Sequence, residues 1–505
     1  MDASIAFRWL IALPLLGPVL IYLVGRFVAR RFGDSFGRNP AWWLGLLVLA
    51  ATGVALWFTA APVLNGSVVS WQVGAVSLRM DGIGAILALV VVGLGFVVTL
   101  YSSRYMQAEV GEEKFYALLV TMVGTIIGLG CAADLFNLWV WFEAMAISSY
   151  MLVAFYRQQP SSLEAGVKYL VQSAAGSTLV LLGIALVFAQ TGTLDLAAIR
   201  TALAGGSNDL VLAAGALFVI GFGVKVALVP LHTWLPDAHS QAPSGISAML
   251  SGVVIEAGLV ALLRVLGSLA GVSTSWGFIL MGFGAVNMLL GNLMALRQEQ
   301  VKRLLAFSSV SHMGYILVGI GVAAAFDSQA AAAGGFFHIL THAMMKGLAF
   351  LAAGALMYVF YITKGSHNAL VKEDLNGAAG KYPLVAFTFS VALLGLGGLP
   401  PLAGFMSKWQ IFVAGFQTGD GWAMALVIFA ALNSVLSLGY YAPLVNRMYR
   451  LESSEAVKGG CKVPLAITVS LALLAAGVIV LGFWPNLASG ITGPAGQALT
   501  ALFAH

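Results

Sequence analysis

Charge is scarce in this sequence. Only 9% of its 505 residues are Asp, Glu, Lys or Arg, while 60% are hydrophobic; an ordinary soluble domain carries roughly a quarter charged residues. A water-soluble surface is therefore out of reach, which excludes soluble enzymes, secreted scaffolds and nucleic-acid binders. Cysteine is nearly absent as well. Cys131 and Cys461 lie far apart, leaving neither a disulfide framework nor a cysteine metal site. Redox motifs are also lacking: there is no paired CxxC, no strand-linked GxGxxG and no haem signature. The apolar runs do not alternate over about ten residues, as membrane β-strands would. What is plentiful is apolar sequence, with a mean hydropathy of +0.94 and 59 glycines, a residue more frequent in membrane helices than in soluble ones. The expected fold is an all-α polytopic membrane protein.

A bilayer core of roughly 30 Å takes about 20 apolar residues per helix. Fourteen runs qualify, numbered spans 1 to 14 in order: 8–25, 41–60, 82–101, 115–133, 136–155, 166–189, 210–230, 244–268, 277–295, 304–325, 334–361, 384–417, 423–446 and 464–484. Span 1 runs into Arg26, Arg30 and Arg31 without a small-residue cleavage site, so it reads as a retained helix rather than a signal peptide. Basic residues concentrate in every second loop: Arg26, Arg30, Arg31 and Arg38; Arg104 and Lys114; Arg157 and Lys168; Arg297, Lys302 and Arg303; Lys364, Lys372 and Lys381; Arg447, Arg450, Lys458 and Lys462. The opposite side holds only Arg8, Arg79, Arg200 and Arg264. The positive-inside rule then puts the first set in the cytoplasm and both termini outside an inner (plasma) membrane. One helix more or fewer would scramble the alternation.

Three cations remain, Lys225, Lys346 and Lys408, each inside an apolar run together with the acids Glu143 and Glu256. Five uncompensated charges would cost roughly 12–18 kcal/mol even on the lenient insertion scale. One reading is buried structural ion pairs; the other is an ion or proton path, which intramembrane ionisable groups usually mark. His338, His342 and Lys346 are spaced i, i+4, i+8 on one helix face, about 6 Å apart along the axis. That spacing suits protons hopping through one intervening water. A metal reading is weaker, because no third carboxylate or thiolate stands nearby in sequence. Two runs carry helix breakers beside their lysine: Lys225 precedes Pro230 in KVALVPLHTWLP, with His232 following, and GLGGLPPLAGF precedes Lys408. Interrupted helices in two halves point to an inverted-repeat transporter. The implied divisions are residues 1–110 (spans 1–3), 111–270 (spans 4–8), 271–450 (spans 9–13) and 451–505 (span 14 and tail).

DLFNLWVWFEAMAISSYML, KVALVPLHTWLPDAHSQAPSGISAML, EQVKRLLAFSSVSHMGY, FHILTHAMMKGLAFLAAG and GLPPLAGFMSKWQIF resemble, in the right order over about residues 80–450, the antiporter-like proton-translocating subunits of respiratory complex I. The same family includes large Mrp-type Na⁺/H⁺ antiporter subunits and membrane arms of energy-converting hydrogenases. The resemblance implies fourteen helices, two inverted five-helix repeats and broken spans 7 and 12. It places the family's glutamate of span 5 on Glu143, its lysine of span 7 on Lys225, its span-12 residue on Lys408, and the span-11 ladder on His338, His342 and Lys346. It further implies a Glu143–Lys225 ion pair whose opening favours deprotonation of the lysine and sends the proton toward Lys408. His232 would pass the proton onward. His312 lines the same axis or makes a structural hydrogen bond, and His239, near the loop, reads as structurally hydrogen-bonded.

Glu256 departs from the pattern, standing where the resemblance leads one to expect a lysine. Three roles stay open: pairing with Lys225, carrying the proton as a carboxyl group, or coordinating a cation. The leading functional expectation is a proton-translocating subunit of a redox-driven complex, of complex I or hydrogenase type, in which flavin and iron–sulfur clusters belong to partner subunits and this chain holds no cofactor. Alternatives are an Mrp-type Na⁺/H⁺ antiporter subunit without redox partners, and a scaffold with relic charges. Expected partners are other membrane subunits, the lipid bilayer, and protons or Na⁺. The short stretch after span 14 disfavours the family's member with a long lateral helix.

Overall fold

The computed structural model describes residues 2–32, 40–74, 76–107, 109–206 and 208–504. Arg38, counted in the first basic loop, lies outside the described residues. Among them, 13 helices are long and apolar enough to cross a bilayer, and a fourteenth crossing is made in two shorter pieces. The order matches the fourteen runs. Spans 1 to 6 are Ala3–Phe32, Ala41–Leu64, Gly82–Tyr105, Glu112–Cys131, Leu135–Val153 and Pro160–Thr191. Span 7 is Asp209–Val226 followed, after a break, by Trp234–Gln241. Span 8 is Ser244–Ser268. Spans 9 to 11 are Trp276–Leu296, Val301–Phe326 and Gln329–Phe360. Span 12 is Pro383–Gly397 and Ala403–Gln417, and spans 13 and 14 are Gly421–Arg450 and Leu465–Phe483.

Several ends differ from the apolar runs. The run 210–230 overshoots the first half of span 7 and omits its second half, because WLPDAHSQ is too polar to read as part of a crossing. The tail is not loose: Ser489–Phe503 forms a further helix, packed on spans 3 and 11. Between spans 2 and 3 an antiparallel hairpin, β1 (Val69–Val73) and β2 (Val76–Met80), pairs Val69 with Met80.

Aspartates start several helices by accepting from their first free amides. Asp81 caps span 3 through the Gly84 amide (3.0 Å), Asp134 caps span 5 through Asn137 (2.7 Å), and Asp420 caps span 13 through Ala423 (2.9 Å). Helices approach closely where they meet through glycine. A Cβ on Gly314 of span 10 would stand 2.6 Å from the Gly284 carbonyl oxygen of span 9, so only glycine permits that crossing.

Burial divides the bundle into a rim and a centre. The most apolar stretch of span 8 is 100% buried, and those of spans 10 and 11 are 89% buried, against 28% for span 1 and 33% for span 13. Exposed apolar side chains such as Trp57, Leu16 and Leu432 cover the rim, as lipid-facing surfaces require. The three central helices carry Glu256, His312, His338, His342 and Lys346, so these groups face protein rather than lipid. Span 8 widens to a π-helical turn over Leu250–Val254, which ends two residues before Glu256. Such turns are frequent at functional positions.

Candidate functional site

Span 7 ends its first half in a left-handed residue, Ala227 (φ 60°), and restarts at Trp234. The break frees carbonyls at the helix end, and the Trp234 indole N–H donates to the Val224 oxygen at 2.7 Å. Lys225 lies in the last turn of this half, two residues before Ala227, and is buried. Its ammonium donates to the Tyr169 hydroxyl (2.9 Å) and the Ser173 hydroxyl (3.2 Å). Tyr169 also offers its ring face at 4.5 Å, with Phe142 at 5.6 Å and Trp234 at 6.0 Å, so aromatic faces replace water around the cation. Among the described residues Lys225 makes no ion pair. Glu143, one residue beyond Phe142, is near enough for its charge to act on Lys225, yet its Oε1 is buried without a hydrogen-bond partner. The pair implied by the resemblance is open in this conformation.

Span 12 breaks at Gly398 (φ 80°) and restarts at Ala403. Here the lysine itself meets the helix end: Lys408 donates to the freed Leu396 carbonyl (2.8 Å) and to the Ser434 hydroxyl (2.9 Å), under the Tyr315 ring at 4.4 Å.

Between the two breaks runs a buried polar line. Glu256 Oε1 and His342 Nδ1 are 2.7 Å apart, and both side chains are fully buried. The His342 ring lies against His312, centroids 5.2 Å apart. His312 Nδ1 and His338 Nε2 are 3.2 Å apart, and His338 Nδ1 meets the Ser407 hydroxyl at 2.8 Å. Ser407, which also accepts from Thr341 at 3.0 Å, is the neighbour of Lys408. Imidazoles can accept on one nitrogen and release from the other, so the line from carboxyl to lysine needs only tautomer changes and short hops. Glu256 Oε2, His342 Nε2 and His312 Nε2 are buried without protein partners, which fits bound water among them. Lys346 stands one turn from His342 and donates to the Leu305 carbonyl (2.8 Å) and the Ser308 hydroxyl.

Of the nine candidate residues, the structure links Glu256, His342, His312 and His338 most directly; the line ends at Ser407, and Lys408, the next residue, turns its ammonium to the Leu396 carbonyl and the Ser434 hydroxyl. Lys346 flanks the line, and Lys225 with Glu143 occupies the span 7 end. His232 has a buried Nδ1 without a partner and stands edge-on to Phe307, outside the contacts of Lys225. Three sequence expectations need correction. A carboxylate does stand beside the span 11 histidines, because Glu256 of span 8 reaches His342. Among the described residues His239 finds no hydrogen-bond partner for either ring nitrogen and stacks instead on Phe350 at 4.6 Å. Lys302 is not a loop residue: it lies in the first turn of span 10, 4% exposed, donating to the Ala242 carbonyl at 2.5 Å. Sequence reasoning also missed the clamp at the other end of span 8. Arg264 binds both oxygens of Asp81 at 2.8 Å and the Gly130 carbonyl, fixing span 8 to spans 3 and 4. Burial pushes the Asp81 carboxyl up, but the Arg264 guanidinium outweighs it and holds the group below its ordinary range.

A family profile described as NADH:quinone oxidoreductase/Mrp antiporter, TM, matches residues 132–434, and one described as NADH-Ubiquinone oxidoreductase (complex I), chain 5 N-terminus, matches residues 72–116. The F(420)H(2) dehydrogenase subunit N of Methanosarcina mazei is 33% identical over 481 residues, covering 93% of this chain and 96% of that protein. NADH-quinone oxidoreductase subunit N of Deinococcus radiodurans is 33% identical over 477 residues, covering 93% and 94%. A chain of the archaeal membrane-bound sulfane sulfur reductase superposes with a TM-score of 0.85 at 28% identity, covering 99% of this chain and 98% of that one.

Proposed function

The chain belongs to the NADH:quinone oxidoreductase/Mrp antiporter family, and from that premise we propose that it is the antiporter-like, proton-translocating subunit of a multisubunit redox-driven membrane complex. The observation that carries this reading is the buried line Glu256–His342–His312–His338–Ser407, which joins the middle of span 8 to the second half of span 12, where Lys408 follows Ser407 and binds the Leu396 carbonyl at the break. A chain holding its fold together has no need of so many polar groups in a row at the centre of an apolar bundle. Two five-helix units, 111–270 and 271–450, would each supply one broken helix. Five is odd, so the second unit enters the bilayer from the opposite side, which makes the units inverted. Residues 1–110 and 451–505 flank them.

In this reading Lys225 holds a proton among Tyr169, Ser173 and the aromatic faces, steadied when Glu143 closes on it. Opening of that pair favours release toward Glu256, whose unpartnered oxygen accepts it, and the histidines pass it to Lys408. Glu256 thus works as a carboxyl carrier in a place where a lysine is usual. Its contact to His342, with none to Lys225 among the described residues, supports that role over charge balance for Lys225. Electrons are handled by partner subunits carrying flavin and iron–sulfur clusters. The basic loops face the cytoplasm, and both termini face outward from the inner membrane. The test is to purify the chain with its native partners in mild detergent, record visible absorption, and measure proton uptake in proteoliposomes. Flavin and iron–sulfur bands with substrate-driven proton uptake are expected. A colourless assembly exchanging Na⁺ for protons would instead establish the Mrp-type reading.

A further inference from the structure

A second set of polar groups gathers where spans 3, 8 and 11 end on the side of the basic loops. Its surface member is a pair between linkers: His367 Nε2 lies 3.5 Å from Glu109 Oε1, with side chains 26% and 17% exposed. Burial raises the Glu109 carboxyl and lowers the His367 imidazole from their ordinary values, so both are drawn toward their neutral, proton-sharing forms. The His367 ring rests on Tyr156 at 4.4 Å, and the Tyr156 hydroxyl is buried beside that of Tyr105. The Tyr105 hydroxyl is 3.1 Å from the hydroxyl of Ser244, the first residue of span 8. Tyr101 OH and Ser102 Oγ are buried there without partners. A Cβ on Gly354 of span 11 would stand 2.6 Å from both Tyr101 OH and Ser244 Oγ, so only glycine lets span 11 approach these hydroxyls so closely. Buried hydroxyls without protein partners are a usual sign of ordered water.

From Ser244 the polar face continues along span 8. Ser244, Ser247 and Ser251 follow at i, i+3 and i+7 and are all fully buried. Ser251 Oγ is 2.6 Å from Ser309 Oγ of span 10. Ser309 donates to the Leu305 carbonyl at 3.0 Å, the same oxygen that accepts from Lys346 at 2.8 Å. The route ends one helical turn from His342 and Glu256. Ser247 donates to the His239 carbonyl at 3.2 Å, so the serine face also touches the second half of span 7.

We propose that protons enter the relay by this route, from Glu109 and His367 through Tyr156, Tyr105 and the serine face of span 8 to Lys346 and Glu256. Each hydroxyl accepts a proton on its oxygen and releases its own to the next group or bridging water, so no charge is left behind. The inference rests on the proton-carrying reading above. The test compares Tyr105→Phe and Tyr156→Phe with Tyr116→Phe, a buried tyrosine of span 4 outside the route, in the intact complex in proteoliposomes. Each substitution removes one hydroxyl and keeps the ring, so assembly and substrate-driven electron flow in the presence of an uncoupler serve as folding controls. Tyr105→Phe should slow coupled proton uptake by about tenfold, less than the roughly 10²–10⁴-fold for losing a positioned acid–base group because water can bridge the gap, and should enlarge the slowing seen in D2O. Tyr116→Phe should do neither. Uptake and isotope effect in Tyr105→Phe and Tyr156→Phe equal to those of Tyr116→Phe would overturn the entry route alone. An unsubstituted complex that moves no protons would overturn the underlying reading as well.

Discussion

The breaks of spans 7 and 12 solve one problem in two ways. Each interrupts a helix inside the membrane and frees backbone carbonyls that must find donors. At span 7 the indole of Trp234 takes the Val224 carbonyl, leaving Lys225 to side-chain hydroxyls and ring faces. At span 12 the ammonium of Lys408 takes the Leu396 carbonyl itself. Lys225 is thus held only by rotatable partners beside an unpaired glutamate, whereas Lys408 is fastened to the main chain. The difference teaches that one lysine is placed to exchange partners and the other to stay put at the end of a line.

Removing either lysine tests the comparison most severely. Lys225→Ala and Lys408→Ala should each lower coupled proton transport by about 10²-fold or more, the range for a positioned acid–base group, while the complex still assembles and turns over when uncoupled. Normal pumping in an assembled Lys225→Ala complex would remove span 7 from the path. Trp234→Phe would blur the distinction between the two breaks, because the Val224 carbonyl loses its indole donor. The carbonyl keeps the Ala227 amide at 3.2 Å, so the loss is about one net hydrogen bond, roughly 0.5–1.5 kcal/mol, readable as a lower unfolding midpoint in detergent; an unchanged midpoint would show the cap to be dispensable. Smaller effects should separate the hydroxyl partners. Tyr169→Phe should slow transport by about threefold, near one net hydrogen bond of roughly 0.5–1.5 kcal/mol, and Ser434→Ala by less, since Lys408 keeps its carbonyl. Equal effects in the two variants would erase the contrast.

Apolar length and loop charge made the crossings legible, because the bilayer imposes both. Span 8 was readable to its ends, and Pro230 and Pro400-Pro401 marked the breaks. The second half of span 7 was not, since Pro236, Asp237 and His239 give it a loop's composition although it is buried in protein. Gly490, Gly493 and Pro494 likewise disguise the terminal helix. The i, i+4 register of His338 and His342 was visible on one helix. Their partners were not: Glu256 is 86 residues from His342, and Asp81 is 183 from Arg264. No local pattern encodes such contacts; only packing of distant helices creates them.

The central claim is that Glu256 carries the proton between Lys225 and the histidines. Substrate-driven proton uptake by the Glu256→Gln complex in proteoliposomes tests it most directly, because the amide keeps the size of the side chain and loses the titrating group. The account predicts that uptake collapses while assembly and uncoupled electron flow persist. Near-normal uptake would contradict it and reduce Glu256 to a hydrogen-bonding neighbour of His342.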